Sequence, residues 1–348
     1  MSTQTIESAR ENSYDILRAI FALFVVAHHS VVLSGETYKL YQNIGYNLAY
    51  IGLRGFFVLS GYLIFQSALR SSSLRSFWTK RCLRLFPGLL VVLVLTVIAC
   101  SFVYQGSMTD YWTSSAVWNY IPNNISLYHL QYSLPGVFEE NAWGTAINGS
   151  LWTLAFEFSL YIIFSVFLFI RHPKVVLGLL FTALFALLYL HGNYTDELYG
   201  RVHFGLLTWS AIEFSLFFVL GALISLTNIV TRPEKGLVLA LCALWLGYSI
   251  YQTDIGDISN YLPLALLVVI GGSYYSHTLG NFMKRFGDTS YGIYIYSFPI
   301  QQLLVYALAP NTEVLLALSV PLSILFGYAS WHLVEKRFLR TKKRAVSA

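Results

Sequence analysis

The chain has 348 residues, of which 56% are hydrophobic and only 11% charged, against roughly 25% charged in an average soluble domain. A water-soluble protein so poor in charge could not cover its own surface, so the composition excludes that class and points to a lipid bilayer as surroundings. The net charge of +5 is spread in short runs between apolar stretches rather than gathered in one patch, and no nucleic-acid partner is expected.

Before the first apolar run stand Glu7, Arg10 and Glu11, with no A-x-A cleavage site after it, so the run reads as a retained helix rather than a removed signal peptide. Ten apolar stretches approach the roughly 20 residues that cross a hydrocarbon core. They cover 14–33, 50–69, 87–104, 151–170, 175–190, 207–226, 236–251, 261–276, 290–308 and 314–333. The expected fold is therefore all-α, a single polytopic membrane domain over 1–348 with both termini cytoplasmic. The first stretch carries Arg18 near its start and His28 and His29 near its end. Eleven residues at 100° each return His29 to within about 20° of the face of Arg18, roughly 16 Å along the axis, whereas His28 is turned about 100° away. Intramembrane charges cost roughly 2.5–3.5 kcal/mol each on insertion scales, which makes them functional candidates by default. The plainer alternative has Arg18 snorkelling beside Asp15, its i,i+3 neighbour, with the histidines at the interface.

After the second stretch a short loop holds Ser71, Ser72 and Ser73, then Arg81 and Arg84 at i,i+3 with Pro87 following. Such a pair either binds phosphates at the membrane surface or simply anchors topology. The segment 105–148 has no Lys or Arg, and its partly apolar part, 117–134, has room for a re-entrant hairpin. Glu157 on the fourth stretch and Glu213 on the sixth are the remaining candidates, each with a structural hydrogen bond to Tyr or Ser as the alternative. Cys82, Cys100 and Cys242 are odd in number and lack metal-ligand spacing, so they read as packing residues and no metal site is expected. With ten crossings and an inside N-terminus, 19 of the 22 Lys and Arg fall on the cytoplasmic side, Arg171, Arg340, Lys342, Lys343 and Arg344 among them; only Lys39, Arg54 and Arg201 fall outside.

Four separated segments resemble one family in order and spacing. YDILRAIFALFVVAHH resembles the first helix of the acyltransferase-3 family, the bacterial membrane O-acyltransferases that act on O-antigen, exopolysaccharide or Nod-factor sugars; Arg18 and His29 fit its Arg-x10-His gap and His28 does not. GLRGFFVLSGYLIF looks like its FF-x-x-SG signature, FWTKRCLRLFP like its R-x-x-R segment before a proline, and NGSLWTLAFEFSLY like the segment that places a glutamate, here Glu157, after L-W-x-L. Weaker similarity continues in GDTSYGIYIYSFPI and HLVEKRF; the late histidine that often precedes F-P in this family is Ser297 here, so no role of that histidine carries over.

The resemblance implies a multi-pass enzyme of the bacterial inner membrane. It would hold no bound cofactor, take acyl-CoA, by family habit acetyl-CoA, as co-substrate, and acylate a glycan or lipid-linked oligosaccharide. His29 and Glu157 would be catalytic, His29 as general base and Glu157 orienting it, with Arg18, Arg81 and Arg84 on the CoA phosphates. A sugar or lipid transporter or flippase is the rival reading, since intramembrane His, Glu and Arg also mark substrate pathways, although no inverted repeat is visible. A non-catalytic scaffold would need no charged stripe on the first helix.

Overall fold

The structure is a computed structural model describing residues 13–71, 73–170, 172–194, 201–203, 205–252 and 254–339. Glu7, Arg10, Glu11, Ser72, Arg171, Arg340, Lys342, Lys343 and Arg344, named above, lie outside these residues. The fold is helical: α1 (Tyr14–Leu33), α2 (Lys39–Leu69), α3 (Leu74–Ser101), α4 (Met108–Thr113), α5 (Ser115–Ile125), α6 (Trp152–Ser165), α7 (Pro173–Tyr194), α8 (Thr208–Ile224), α9 (Lys235–Tyr251), α10 (Tyr261–Ser273), α11 (His277–Phe286), α12 (Ser290–Leu308) and α13 (Thr312–Ser330). Among the described residues the strands are one short antiparallel pair, β1 (Val202–His203) with β2 (Leu206–Leu207). Four helices are long and apolar enough to cross a bilayer, namely α1, α2, α3 and the run Thr312–Leu339; several others are apolar but shorter.

Two expectations change. The segment with Arg81 and Arg84 is not a loop, because α3 begins at Leu74 and runs through Pro87. Buried Phe77, Leu85 and Leu89 recur at helical spacing, and their packing offsets the roughly 3 kcal/mol that an interior proline costs a helix. The stretch 117–134 forms no hairpin; the segment 105–148 forms the short helices α4 and α5 followed by turns. Ser107 caps α4 by accepting from the Asp110 N–H, and α5 ends at Ile125, just after Pro122, Asn123 and Asn124.

The chain divides into two compact units, residues 1–21, 50–77 and 156–288, and residues 22–49, 78–155 and 289–348. In the first, α8 is the core helix, with Phe214, Leu216, Phe217, Phe218 and Val219 almost wholly buried. Phe57 of α2 stacks on Phe214 at 4.3 Å between ring centroids. Gly61 and Gly221 let α2 and α8 touch: a Cβ on Gly61 would stand 1.8 Å from the Phe218 carbonyl oxygen, and one on Gly221 2.1 Å from that of Val58. Small residues at a crossing replace the hydrophobic drive that is missing between helices in lipid. On the same face of α2, Arg54 donates to both carboxylate oxygens of Glu213, at 3.3 and 2.5 Å. The Tyr261 hydroxyl adds a bond to Glu213 at 3.1 Å, and the guanidinium lies 4.0 Å from the Tyr50 ring centroid. Glu213 thus takes the structural alternative, with an arginine as its principal partner.

In the second unit α12 and α13 form a helical hairpin. They meet at Gly292 and Gly327, where a Cβ on the first would be 2.8 Å from the Cα of the second. The Asn311 side chain caps α13 through the Val314 N–H. A π-helical turn, Trp331–Glu335, continues that helix within the run to Leu339 and sets Glu335, fully buried, where Arg84 donates to it at 2.5 Å and Ser330 at 2.9 Å.

Gly61→Ala should therefore lower stability by about 1–3 kcal/mol through overpacking. Gly178→Ala, where a Cβ meets nothing within 4 Å, should not; equal melting temperatures for the two variants in detergent would contradict the crossing. Arg54→Ala, which strands Glu213, should lose about 3–5 kcal/mol, and adding Glu213→Ala should recover part of it. No recovery in thermal unfolding would show that the pair is not coupled.

Candidate functional site

The candidate residues divide between the two units. In the second, His29 sits on the α1 face that packs against α12. Its ring meets Phe298 edge to face at 5.0 Å between centroids, and His28 lies 5.7 Å away. His29 is half-buried, yet its Nδ1 is fully covered and has no hydrogen-bond partner among the described residues. The helix is pinned on either side of it: the fully buried Gln301 of α12 donates from Nε2 to the Val26 carbonyl at 2.9 Å and to the Ser30 hydroxyl at 2.9 Å. Ser30 in turn lies 3.3 Å from the Ser319 hydroxyl of α13. The backbone around His29 is thereby fixed, while the covered Nδ1 atoms of His28 and His29 and the side-chain oxygen of Gln301 have no hydrogen-bond partner among the described residues.

Ser297, where the family pattern often has histidine, is fully buried and turns its hydroxyl back to the Tyr294 carbonyl of its own helix at 3.1 Å. Thr153 and Tyr294 share a hydrogen bond at 2.6 Å, and Asn148 donates to the Ile295 carbonyl at 2.9 Å. These bonds moor the start of α6 to α12.

In the first unit, Glu157 of α6 accepts from the Ser60 hydroxyl of α2 at 2.9 Å and from Tyr161, one turn along its own helix, at 2.5 Å. Both bonds go to Oε1. Oε2 has no hydrogen-bond partner among the described residues, so one oxygen is held and the other is open. Arg18 stands between two carboxylates, 3.8 Å from Asp15 and 3.7 Å from Asp288. Its expected neighbour Asp15 is thus present, and a second acid from far along the chain joins it.

Arg81 and Arg84 of the second unit are one turn apart on α3. The Arg84 guanidinium, besides its bond to Glu335, lies 5.3 Å from the Trp331 ring centroid and 5.7 Å from that of Tyr291. Several of these partners were out of reach of the sequence reading. Ser60 is the serine of the FF-x-x-SG segment and Tyr161 is the i+4 neighbour of Glu157, so both had a local signal. Phe298 belongs to the F-P pair of the late similar segment, whereas Gln301, just beyond that segment in an apolar stretch, had none.

The acyltransferase domain family profile matches residues 11–332. An O-acetyl transferase of Shigella phage Sf6 is 30% identical over 336 residues, 95% of this chain and 96% of that protein. The peptidoglycan O-acetyltransferase OatA of Listeria monocytogenes is 27% identical over 83% of this chain and 49% of its own length. Nodulation protein 10 of Rhizobium leguminosarum bv. viciae is 27% identical, over 86% and 85% of the two chains. No solved structure matches. The four segments read from the sequence all fall inside the matched region, and the chain belongs to the acyltransferase-3 family of membrane acyltransferases.

Proposed function

We propose that this protein is a multi-pass O-acetyltransferase of the bacterial inner membrane, with ten crossings and both termini cytoplasmic. It moves an acetyl group from cytoplasmic acetyl-CoA to a hydroxyl of a cell-envelope or exported glycan. The observation that carries the reading is His29: a histidine at the family's spacing from Arg18, on a helix clamped around it, with a covered and unpartnered Nδ1. The names of the relatives, two of them O-acetyltransferases, support the group transferred, and the Lys/Arg alternation supports the topology.

In this reaction the acceptor oxygen attacks the thioester carbonyl as its proton passes to the His29 imidazole, which must be neutral to receive it. The C–S bond breaks, an ester C–O bond forms, and the thiolate leaves and is protonated to free CoA. Glu157 is the second catalytic group: Ser60 and Tyr161 fix one oxygen, and the other is available to a charge that develops in the reaction. Arg81, Arg84 and Arg18 hold the CoA phosphates, for which guanidinium forks are suited.

His29→Ala should reduce transfer of label from acetyl-CoA to surface glycan by about 10²- to 10⁴-fold, the usual worth of a general base, with membrane expression unchanged. A fully active variant would remove His29 from the mechanism. Arg84 also compensates the buried Glu335, so Arg81→Ala is the cleaner probe of the donor site. It should raise KM for acetyl-CoA with little change in kcat, and the gap from the parent should narrow as salt is added. An unchanged KM at low salt would leave Arg81 a topology anchor.

A further inference from the structure

The second unit holds a cavity of about 300 Å³ beside His28, lined by Val31, Val32, Glu36, Gln42 and Trp143. Trp143 is 58% exposed, and the reason is local. The Gly144 N–H bonds the Asn141 carbonyl at 2.8 Å, closing a turn with Ala142 and Trp143 at its centre, and Gly144 takes φ +89°, a conformation open to glycine. The turn is not slack. The fully buried Gln302 of α12 accepts from the Asn141 amide through its side-chain oxygen at 2.9 Å and its backbone carbonyl at 3.1 Å. Its own amide donates to the Gly144 and Ala146 carbonyls at 3.2 and 2.5 Å. Gly35, at φ +73°, passes so close that a Cβ there would be 3.1 Å from that of Ala142.

Glu36, in the same cavity lining, is equally fixed. Its Oε1 accepts from the Thr37 and Tyr38 N–H groups at 2.9 and 2.8 Å, and Oε2 from the Thr312 hydroxyl at 3.3 Å. Gln42 donates to the Glu36 carbonyl at 3.0 Å. The cavity therefore offers a rigid, accessible aromatic plane together with a carboxylate, a carboxamide and an imidazole. A pyranose ring has the complementary chemistry, with one face of C–H groups to stack on an indole and a rim of hydroxyls to bond oxygen and nitrogen. Charge narrows the class: Glu36 lines the cavity, and the segment 105–148 that carries Trp143 has Asp110, Glu139 and Glu140 but no Lys or Arg. A uronic acid or a CoA phosphate would meet like charge there.

We propose that this cavity is the acceptor-sugar subsite. It takes one neutral hexopyranose unit, stacked on Trp143 and hydrogen-bonded by Glu36 and Gln42, next to His28 and one residue along α1 from His29. The inference rests on the O-acetyltransferase reading for its biological use, but not for its binding test. Full-length protein in detergent micelles is presented with the methyl glycosides of glucose, galactose, mannose and N-acetylglucosamine, with methyl glucuronoside as the anionic control, and binding is read by saturation-transfer NMR. At least one neutral glycoside should bind and the glucuronoside should not. Trp143→Ala should weaken binding by about three- to tenfold, the worth of one aromatic contact, while Trp143→Phe keeps most of it. Binding of no neutral glycoside, equal binding by Trp143→Ala, or displacement by CoA would overturn the subsite. The acetyl-transfer assay run beside it separates the two ideas. Transfer by the parent with an unchanged acceptor KM in Trp143→Ala sinks the subsite alone, whereas Trp143-dependent binding in a parent that transfers no acetyl sinks the functional reading alone.

Discussion

A guanidinium and a carboxylate drawn out of water hold each other because neither can leave without stranding the other, and the Arg54–Glu213 pair imposes that constraint on the first unit. Arg54, Val58 and Gly61 follow one another at i, i+4 and i+7, so they share one face of α2. The ion pair fixes the register of that face on α8, and the close approach at Gly61 and Gly221 is tolerable only in that register. Ser60 is then committed to a direction, and it points to Glu157. The S-G dipeptide thus has two separate tasks, the glycine admitting a neighbouring backbone and the serine holding a carboxylate.

The second unit obeys the same rule with different means. Glu335 is wholly buried and would be intolerable alone; Arg84 and Ser330 compensate it, and the π-helical turn is the local distortion that brings it into place. Gln301 and Gln302 are adjacent and fully buried, the amide of one clamping α1 around His29 and the other holding the turn that carries Trp143. The covered Nδ1 of His29 has no partner among the described residues, and neither has that of His28 or the side-chain oxygen of Gln301. A buried polar atom left without a partner costs about 1–3 kcal/mol, so this end of α1 carries an unusual concentration of unmet hydrogen-bonding capacity.

Much of this was legible beforehand for one reason: polar residues in apolar stretches are few, and their cost singles them out. Arg18, His29, Glu157 and Glu213 stand out on that ground alone, whereas of their partners only those close in sequence, such as Asp15 beside Arg18, are foreseeable. Arg54 was counted only as an outer-side charge because its partner lies 159 residues away, and Asp288 joined Arg18 from the far end of the chain. Local patterns misled where tertiary packing overrode them. Pro87 looked like the start of a helix and lies inside one, and the apolar residues of 117–134 serve a short helix and its turns rather than the two arms of a hairpin.

The segment 105–148 shows how one sequence feature can answer to two pressures. Its lack of Lys and Arg is what the positive-inside rule asks of an outer loop, and on that ground alone it would carry no information about ligands. The topology rule, however, concerns charge and is indifferent to where a tryptophan stands. It does not require an indole at the apex of a turn, a buried glutamine spending its whole hydrogen-bonding capacity on that turn, or a carboxylate held by three donors in the lining of the same cavity. Those features restrict geometry rather than charge, and geometric restriction around an accessible aromatic ring is what recognition of a small, uncharged, hydroxyl-rich ligand demands. A topology rule accounts for the loop's charge pattern alone, and its fixed shape calls for a separate cause, which the proposed sugar subsite supplies.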